Sequence, residues 1–122
     1  VGRILVLTIE KMVKTFGTDP RNIKACMGPA ITQQHFEVGN EVTNQFKFWF
    51  SDTPEVFSKN TKTGKTHIDL WEANRQLLLR DGVSPENIEH SALCTYRNPR
   101  LFFSARRDGI ECGRFASGIM LI

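Results

Sequence analysis

One seven-residue pattern occurs twice in the chain, as Gly17-Thr18-Asp19-Pro20-Arg21-Asn22-Ile23 and as Gly82-Val83-Ser84-Pro85-Glu86-Asn87-Ile88. Both copies follow an apolar helical stripe and precede a short apolar run. Glycine suits the left-handed residue that ends a helix, and the proline behind it prevents the helix from continuing. The chain is therefore predicted to contain two helix–turn–strand units of the same design. Duplication explains the repeat, and so does the common use of these residues in turns; the pattern favours duplication slightly.

The spacing of apolar residues predicts the other elements. A stripe from Leu5 to Phe16 and residues 68–80 are predicted as long helices, and residues 36–48 as a shorter one. Strands are predicted directly after the two repeats, at 23–27 and 88–94, and at 114–122, where apolar residues occupy both faces. The polar residues 51–66 are predicted to form a surface loop.

These elements predict an α/β (α+β) fold, with layered mixed β-sheets and flanking helices. The chain has 122 residues and starts with Val1 rather than Met. Its first helical stripe has no capping residue in front of it, since the chain opens with Val1-Gly2-Arg3. We therefore expect residues 1–3 to be the cut edge of a longer chain.

Composition narrows the class of protein. The net charge is +3 and no continuous run of Lys and Arg occurs, so nucleic acid is not an expected partner. No apolar run approaches the ~20 residues that cross a membrane, so no membrane span is expected. The three cysteines have no CxxC spacing, which favours reduced thiols in a cytoplasmic protein over a disulfide framework or a zinc knuckle.

A cluster of arginines and hydroxyls near the end of the chain predicts a pocket for an anion. The candidates for a phosphate or substrate pocket are Thr95, Ser104, Arg106 and Arg107, since arginine offers planar paired donors and hydroxyls add short hydrogen bonds. Residues 101–109 are predicted to run from a strand into a turn, with Arg106 and Arg107 in an extended segment. Their side chains would then point in opposite directions, so at most one faces the pocket and the other pairs with Asp108 or solvent. The alternative is a hairpin end with solvated arginines.

No complete catalytic or metal site is predicted within the chain. His35 is interpreted as a surface or loop residue, His67 as a partner of the helix that follows it, and His90 as a strand residue. None of them pairs with another at metal-ligand spacing. Cys94 is the best thiol candidate, because it ends a strand and Arg97 would lower its pKa, although packing is the commoner role of such a cysteine.

Several segments together resemble a known family. They are Gly28-Pro29-Ala30-Ile31, Phe36-Glu37-Val38-Gly39, Ile68-Asp69-Leu70-Trp71-Glu72-Ala73-Asn74-Arg75, Cys94-Thr95, Phe102-Phe103-Ser104-Ala105-Arg106-Arg107-Asp108 and Gly113-Arg114-Phe115-Ala116. In this order and spacing they resemble the laccase-domain family, which is multicopper polyphenol oxidase-like and is also described as purine nucleoside phosphorylases and peptidoglycan editing factors. Ala105 departs from the resemblance, since an aromatic residue is usual there.

The resemblance covers only the C-terminal half of that family, so residues 1–122 are expected to be the C-terminal part of a single domain of about twice this length. It implies a catalytic centre of one cysteine and two histidines in the N-terminal half, with zinc, or alternatively copper, bound there. The Ala-Asp-Cys and His-Ala-Gly-Trp-Arg motifs of that centre are absent here. No residue of this chain is therefore expected to be catalytic or to bind a metal, and Cys94 is not the family's cysteine.

The implied activity is phosphorolysis of adenosine or inosine to the base and ribose 1-phosphate, with adenosine deamination as an additional activity. The implied partners are a purine nucleoside, phosphate and the N-terminal half of the same domain. Three alternatives stay open: a copper-dependent polyphenol oxidase, a cysteine hydrolase that edits peptidoglycan precursors, and a non-catalytic half that forms a homodimer. In the last alternative, Phe46, Phe48, Trp49 and Phe50 would be an exposed interface patch.

Overall fold

The structure, a computed structural model, describes residues 3–120 and residue 122. Its helices are α1 (Ile4–Phe16), α2 (Asn40–Phe50), α3 (Leu70–Arg80) and the short α4 (Ala105–Asp108). Its strands are β1 (Ala25–Met27), β2 (Glu37–Val38), β3 (Phe57–Lys59), β4 (Thr66–Ile68) and β5 (Ile88–His90). The strands form a parallel pair, β1–β5, and an antiparallel sheet in the order β2–β4–β3. The predicted α/β (α+β) class, with mixed sheets and flanking helices, is confirmed.

The repeated pattern forms the same turn twice. Gly17 and Gly82 adopt positive φ angles of 63° and 87°, which glycine reaches without a steric penalty. Each is followed by a 3-10 turn that begins at the proline, Pro20–Asn22 and Pro85–Asn87. The two turns are also joined directly, because the side-chain amide of Asn87 donates to the Arg21 carbonyl over 2.8 Å. Local turn chemistry therefore ends both helices where the sequence predicts.

The strands after these turns pair in parallel, with Ala25 opposite Ile88 and Met27 opposite His90. Both are shorter than predicted, since β1 starts at Ala25 rather than at residue 23 and β5 ends at His90 rather than at residue 94. Beyond His90 the chain bends, and Ala92 adopts a positive φ of 55°. An isolated parallel bridge then joins Ala30 to Cys94. The loops that follow β1 and β5 consequently lie side by side.

Two apolar cores share helix α3. The first lies between the antiparallel sheet and helices α2 and α3, and its buried residues are Val38, Phe50, Val56, Ile68 and Ala73. The second lies between α1, α3 and the parallel pair, and its buried residues are Ile9, Leu78 and Val83. Because Ala73 belongs to one core and Leu78 to the other, α3 holds the two sheets together.

Several predicted elements differ from the structure in the middle of the chain. The helix predicted at 36–48 begins only at Asn40, because residues 37–38 form β2 and the extended Gly39 precedes the helix. The loop predicted at 51–66 contains a 3-10 turn (Pro54–Val56) and β3, and β4 starts at its last residue. The hairpin closes through Gly64, whose φ is 70° and whose N–H donates to the Asn60 carbonyl over 2.8 Å. Sheet pairing thus organises a segment whose polarity indicated a loop.

The last thirty residues also differ from the prediction. The segment predicted to be extended at Arg106 and Arg107 is the helical turn α4. The strand predicted at 114–122 is not formed by residues 114–120, and Leu121 lies outside the described residues. No strand of the described ranges pairs with this segment, and Ile119 and Met120 remain 75% and 80% exposed. Apolar alternation alone therefore does not make a strand without a hydrogen-bonding partner.

Helix α2 does not present its four aromatic side chains to solvent. Phe50 is 1% exposed, and Phe46 and Trp49 pack against the first core. Only Phe48 of the four is highly exposed, at 80%. The predicted exposed aromatic patch is therefore wrong for Phe50, whereas Phe46 and Trp49 are half-buried. Within the described ranges, no helix has the length and apolar character needed to cross a bilayer.

Candidate functional site

The four residues predicted to bind an anion are split into two groups. Thr95 and Ser104 are both buried, at 7% exposure each. The guanidinium of Arg107 donates to the Thr95 carbonyl over 2.8 Å, and Ser104 precedes α4 and accepts the Arg107 N–H over 3.0 Å. Arg106 points elsewhere: it donates to the Glu37 carbonyl over 2.6 Å, and its guanidinium lies 5.3 Å from the centre of the Phe36 ring. The structure thus brings together Thr95, Ser104 and Arg107, and separates Arg106 from them.

Arg107 has no free donor. Its Nε and one terminal nitrogen bind the two oxygens of Asp108 at 2.7 and 2.6 Å. The remaining hydrogens go to three backbone carbonyls, those of Thr95, Tyr96 and Phe102, each at 2.8 Å. These contacts occupy all five N–H groups of the guanidinium. The pairing predicted between one arginine and Asp108 is therefore made by Arg107, which ties α4 to the loop after β5.

The Arg107–Asp108 pair is stabilised electrostatically. Hydrogen bonds from the Arg107 side chain lower the pKa of the Asp108 carboxyl below its ordinary value, although burial acts in the opposite direction. The Asp108 carboxylate also accepts the backbone N–H of Ser104 over 3.1 Å. Both residues thus remain charged near neutral pH and hold the start of α4.

A concave site surrounds Cys94, and we call it the Cys94 cavity. Its volume is about 490 Å³, and its floor includes Cys94, Trp71 and Ala92. Its remaining walls are polar side chains: Thr32, Gln33, Gln34, Asp69, Arg97 and Asn98. None of the four predicted anion-binding residues lines it.

The cavity exists because the parallel strands end at the same edge. The Ala30 N–H donates to the Leu93 carbonyl over 3.2 Å, and the Thr95 N–H donates to the Ala30 carbonyl over 3.0 Å. These bonds fix the loop after β1 against the loop after β5, and ligand sites commonly form where the carboxyl ends of parallel strands meet. Helix α3 supplies the third wall, since Asp69 is its N-cap and Trp71 lies in its first turn.

Trp71 is held rigidly at the cavity wall. Its indole N–H donates to the Gly28 carbonyl over 3.1 Å, and its ring stacks on His90 with 5.0 Å between centroids. His90 in turn accepts the Ala92 N–H at its Nδ1 over 3.2 Å. Ala92, whose positive φ of 55° is unusual for a residue other than glycine, is thereby fixed in the same wall. This arrangement offers a fixed aromatic surface to a planar ligand.

Cys94 carries a perturbed thiol. It is 6% exposed, and burial alone raises the pKa of such a thiol. The Thr32 hydroxyl donates to the sulfur over 3.3 Å, and backbone hydrogen bonds from Thr32, Arg97 and Tyr96 add to it. These donors outweigh burial, so the pKa of Cys94 lies below its ordinary value. Arg97, proposed from the sequence as the residue that lowers this pKa, acts through its backbone.

The three histidines each contact a different group. His35 is half-buried in a 3-10 turn and stacks on Tyr96 at 4.7 Å, rather than lying free in a loop. His67 belongs to β4 and does not cap α3; its Nδ1 meets the Gln33 carbonyl at 2.8 Å, while Asp69 caps the helix. His90 lies in β5, as predicted.

Most residues of the Cys94 cavity were not found by sequence reasoning. Thr32, Gln34, Asp69 and Asn98 carry ordinary polar side chains in separate segments, and no spacing connects them. The one available signal was the repeat, because two equivalent strands that pair in parallel bring the loops behind them together. That signal points to the loops and not to the side chains within them.

Comparison with known proteins decides the family. A family model described as multi-copper polyphenol oxidoreductase laccase matches residues 1–122. The chain belongs to this family. One relative is the purine nucleoside phosphorylase of Bacteroides thetaiotaomicron. It is 46% identical to this chain over 121 residues, which cover 99% of this chain and 45% of the relative. The adenosine deaminase RL5 of an unknown prokaryotic organism is 44% identical over 119 residues, which cover 98% and 45%.

Solved structures agree with the laccase-family assignment. The hypothetical protein YfiH of Bacillus licheniformis matches with a TM-score of 0.79 and 33% identity, over 87% of this chain and 40% of that chain. YlmD of Geobacillus stearothermophilus matches with a TM-score of 0.79 and 31% identity, over 88% and 40%. The chain thus spans less than half the length of the relatives that it matches.

The family description names copper, and the side chains present here do not fit such a metal. Among residues 3–120 and 122, no three His, Cys, Asp or Glu side chains lie close enough together to hold an ion. His35 and His90 face aromatic rings, and Cys94 meets a hydroxyl. Copper prefers clustered imidazole or sulfur ligands, so no chemical step is assigned to a metal on these residues.

Proposed function

We propose that the protein acts as a purine nucleoside phosphorylase, which cleaves adenosine or inosine with phosphate to give the free base and ribose 1-phosphate. The observation that carries this proposal is the 46% identity, over 99% of this chain, with a protein named purine nucleoside phosphorylase. The Cys94 cavity supports it, because its aromatic wall and its polar walls, in which Asp69 and Arg97 carry opposite charges, suit an uncharged nucleoside.

The cavity walls have the chemistry that a nucleoside requires. Trp71 offers a fixed ring for a purine to stack on. Asp69 uses Oδ1 to accept the Glu72 N–H over 3.0 Å, and no partner of its Oδ2 lies in the described part of the chain. Asn98 likewise uses its amide N–H on the Cys94 carbonyl over 2.7 Å and retains its oxygen. The two oxygens are acceptors for the hydroxyls of a ribose.

Of the four residues predicted to bind an anion, Arg106 is the one that we assign to contact with phosphate. Arg106 is exposed and binds one carbonyl, whereas every donor of Arg107 is already engaged. In this proposal Arg106 meets the phosphate, while Thr95, Ser104 and Arg107 fix the segment that carries it. A guanidinium placed there would bind the phosphate through paired, charge-assisted hydrogen bonds.

The catalytic step is assigned to the other half of the domain. By family resemblance, that half carries a cysteine, two histidines and zinc, and residues 1–122 are the C-terminal part of the same domain. We propose a cytoplasmic location for the protein as well, as its reduced cysteines predict.

A second candidate activity is adenosine deamination, favoured by the 44% identity with a protein named adenosine deaminase RL5. It uses the same nucleoside cavity with water in place of phosphate. Oxidation of phenols, which the family description suggests, and hydrolysis of peptidoglycan precursors are the remaining alternatives.

The test is a product assay on the intact protein. Inosine and phosphate should release hypoxanthine, and omission of phosphate should abolish the release. Ammonia from adenosine measures deamination, and copper-dependent oxidation of a phenol measures the laccase alternative. Hypoxanthine release that does not depend on phosphate would overturn phosphorolysis.

A matched pair of variants tests the cavity. Asp69→Asn retains a side chain that caps helices well but removes the carboxylate. The KM for inosine should therefore rise about tenfold, which corresponds to the loss of one good hydrogen bond. Asp19→Asn is the control, because Asp19 also caps a turn but lies outside the cavity. Equal KM values for both variants would remove Asp69 from the substrate site.

A further inference from the structure

One wall of the Cys94 cavity is a single 3-10 turn, Gln33–His35, which we call the wall turn. Gln33 and Gln34 line the Cys94 cavity on one side of it. On the other side lies a second cavity of about 410 Å³, which the same two glutamines line together with His67 and residues 58–60. The wall turn thus separates two open spaces. Its position therefore depends on specific contacts more than on dense packing around it.

Contacts from the Cys94 side tie the wall turn to the floor of the Cys94 cavity. Thr32 is its N-cap, and the Thr32 carbonyl accepts the His35 N–H over 3.0 Å. The Thr32 hydroxyl donates to the Cys94 sulfur over 3.3 Å. The His35 ring stacks on Tyr96, with 4.7 Å between centroids. A shift of the wall turn would therefore move the hydroxyl that contacts the thiol.

His67 holds the wall turn from the opposite side. It lies in β4, the central strand of the antiparallel sheet, and its Nδ1 lies 2.8 Å from the Gln33 carbonyl oxygen. Because a carbonyl oxygen only accepts hydrogen bonds, Nδ1 carries a hydrogen and donates it. The same carbonyl accepts the Phe36 N–H over 3.2 Å. His67 is thus the donor that links this carbonyl to another element of the fold.

The imidazole of His67 is itself oriented by a polar cluster. Its Nε2 lies 3.4 Å from the Glu37 carboxylate and 3.4 Å from the Asn60 amide. Glu37 stands directly opposite His67 in the β2–β4 pairing. The Thr63 hydroxyl donates to the Glu37 carboxylate over 2.7 Å, and Lys65 lies 3.5 Å from it. The ring therefore has neighbours at both nitrogens, which fix its direction as a supporting residue requires.

We infer that His67 is a positioning residue: through the Gln33 carbonyl it holds the wall turn where the turn closes the Cys94 cavity. Thr32 then reaches the thiol, and the two glutamines face the nucleoside. The role toward the nucleoside rests on the proposed function, whereas the role toward the thiol does not. His67 does not line the Cys94 cavity, so it acts on a ligand through the wall turn.

Two substitutions separate the two nitrogens of His67. His67→Asn places an amide N–H where Nδ1 stands, and His67→Gln places one where Nε2 stands, since each amide nitrogen lies the same number of bonds from the backbone. The first variant should retain the contact with the Gln33 carbonyl, and the second should lose it. In the intact protein, His67→Gln should raise the KM for inosine about tenfold, which corresponds to one good hydrogen bond. His67→Asn should restore the wild-type KM.

The second measurement is the pH profile of Cys94 alkylation by iodoacetamide, which needs no nucleoside. In His67→Gln the Thr32 hydroxyl is no longer held against the sulfur, so the profile should shift to higher pH. In His67→Asn it should match the wild-type profile. A role confined to the stability of the sheet would leave both profiles unchanged. His67→Ala removes both nitrogens, should behave as His67→Gln does, and replaces it if the glutamine variant does not fold.

The two measurements distinguish this inference from the proposed function. If the alkylation profile of His67→Gln is unchanged, or if His67→Asn shifts it equally, His67 is not a positioning residue. If the profiles differ as expected but the wild-type protein releases no hypoxanthine from inosine, the proposed function is wrong and the role of His67 toward the wall turn stands. Equal KM values in the wild type and His67→Gln would overturn the role toward the nucleoside.

Discussion

The hydroxyl of Thr32 donates a hydrogen bond to the sulfur of Cys94 over 3.3 Å, although 62 residues separate them in the sequence. The contact joins the loop after β1 to the loop after β5, at the floor of the Cys94 cavity. It is also the largest of the interactions that lower the pKa of Cys94 against the effect of burial. One hydrogen bond thus ties the geometry of the cavity to the chemistry of its only thiol.

Removal of the Thr32 hydroxyl should make Cys94 less reactive. Thr32→Val keeps the shape of the side chain but cannot donate to sulfur, so the pKa of the Cys94 thiol should rise and the thiolate become scarcer at neutral pH. The measurement is the rate of Cys94 alkylation by iodoacetamide as a function of pH, with mass spectrometry to locate the label. Thr32→Ser should retain the wild-type profile, and the exposed Cys26 provides an internal control. If Thr32→Val and the wild-type protein gave identical pH profiles of alkylation, the Thr32 hydroxyl would not be what lowers the pKa of Cys94.

The two adjacent arginines should affect different properties. Arg107→Ala should lower the free energy of unfolding clearly, because it leaves three backbone carbonyls and Asp108 without their donor. Arg106→Ala should change stability by less than about 0.5 kcal/mol, since the side chain is exposed. Urea denaturation measures both values.

The activity of the same two variants separates structure from binding. If Arg106 contacts phosphate, Arg106→Ala should raise the KM for phosphate while the fold remains intact. An unchanged KM for phosphate in this variant would exclude that role. Arg107→Ala should reduce activity in proportion to its loss of folded protein.

Asp81 is a carboxylate in an unfavourable place, and its removal should stabilise the protein. It follows the last residue of α3, its Oδ2 is buried without a partner in the described ranges, and burial and the charge of Glu10 raise its pKa. A raised folded pKa means that ionisation is penalised in the folded state, so the penalty exists at neutral pH and disappears below the unfolded pKa near 3.9. Asp81→Asn should therefore gain about 0.5 kcal/mol at pH 7 and nothing at pH 3.

Asp52→Asn gives the opposite sign and serves as the comparison. Its own backbone and the Thr53 hydroxyl lower the pKa of Asp52, and Arg80 lies 2.6 Å away. Its stabilising effect is present above the unfolded pKa and is lost as the pH falls through the folded pKa. Asp52→Asn should therefore destabilise at pH 7 and have a smaller effect in acid. Thermal melts across pH 3–7 measure both variants.

Phe48 and Phe50 should differ sharply although they lie on the same helix. Phe50 is 1% exposed in the first core, so Phe50→Ala should lower the free energy of unfolding by about 3–5 kcal/mol. Phe48 is 80% exposed, and Phe48→Ala should cost less than about 0.5 kcal/mol. Denaturation curves for the two variants make the comparison directly. If the two variants lost similar free energies of unfolding, Phe50 would not be the aromatic residue of α2 that faces the core.

The parts of the fold that the sequence predicted are those that depend on neighbours in the chain. Helix α1, helix α3 and both helix-ending glycines follow from apolar spacing and turn chemistry within a few residues. The hairpin of β3 and β4 was missed, because its polar residues carry no strand pattern. The terminal strand was predicted in error, because alternation of apolar residues says nothing about whether a partner strand is present.

The candidate site shows the same division. Sequence reasoning found Cys94 and predicted that one of the two arginines pairs with Asp108 or with solvent; the structure shows the pairing with Asp108. It could not tell which one, because it placed both in an extended segment that is in fact the helical turn α4. The binding of phosphate by this cluster stays a prediction.

By itself the sequence determined α1 and α3, the glycine turns that end them, the mixed fold class and the resemblance to the laccase family, because helix and turn preferences act over a few residues and family motifs persist as local strings. Only the tertiary structure decided that Thr32, Asp69, Trp71 and Cys94 share one cavity. Their meeting depends on the parallel pairing of β1 with β5 and on where α3 packs, and such long-range contacts leave no periodic trace in the chain.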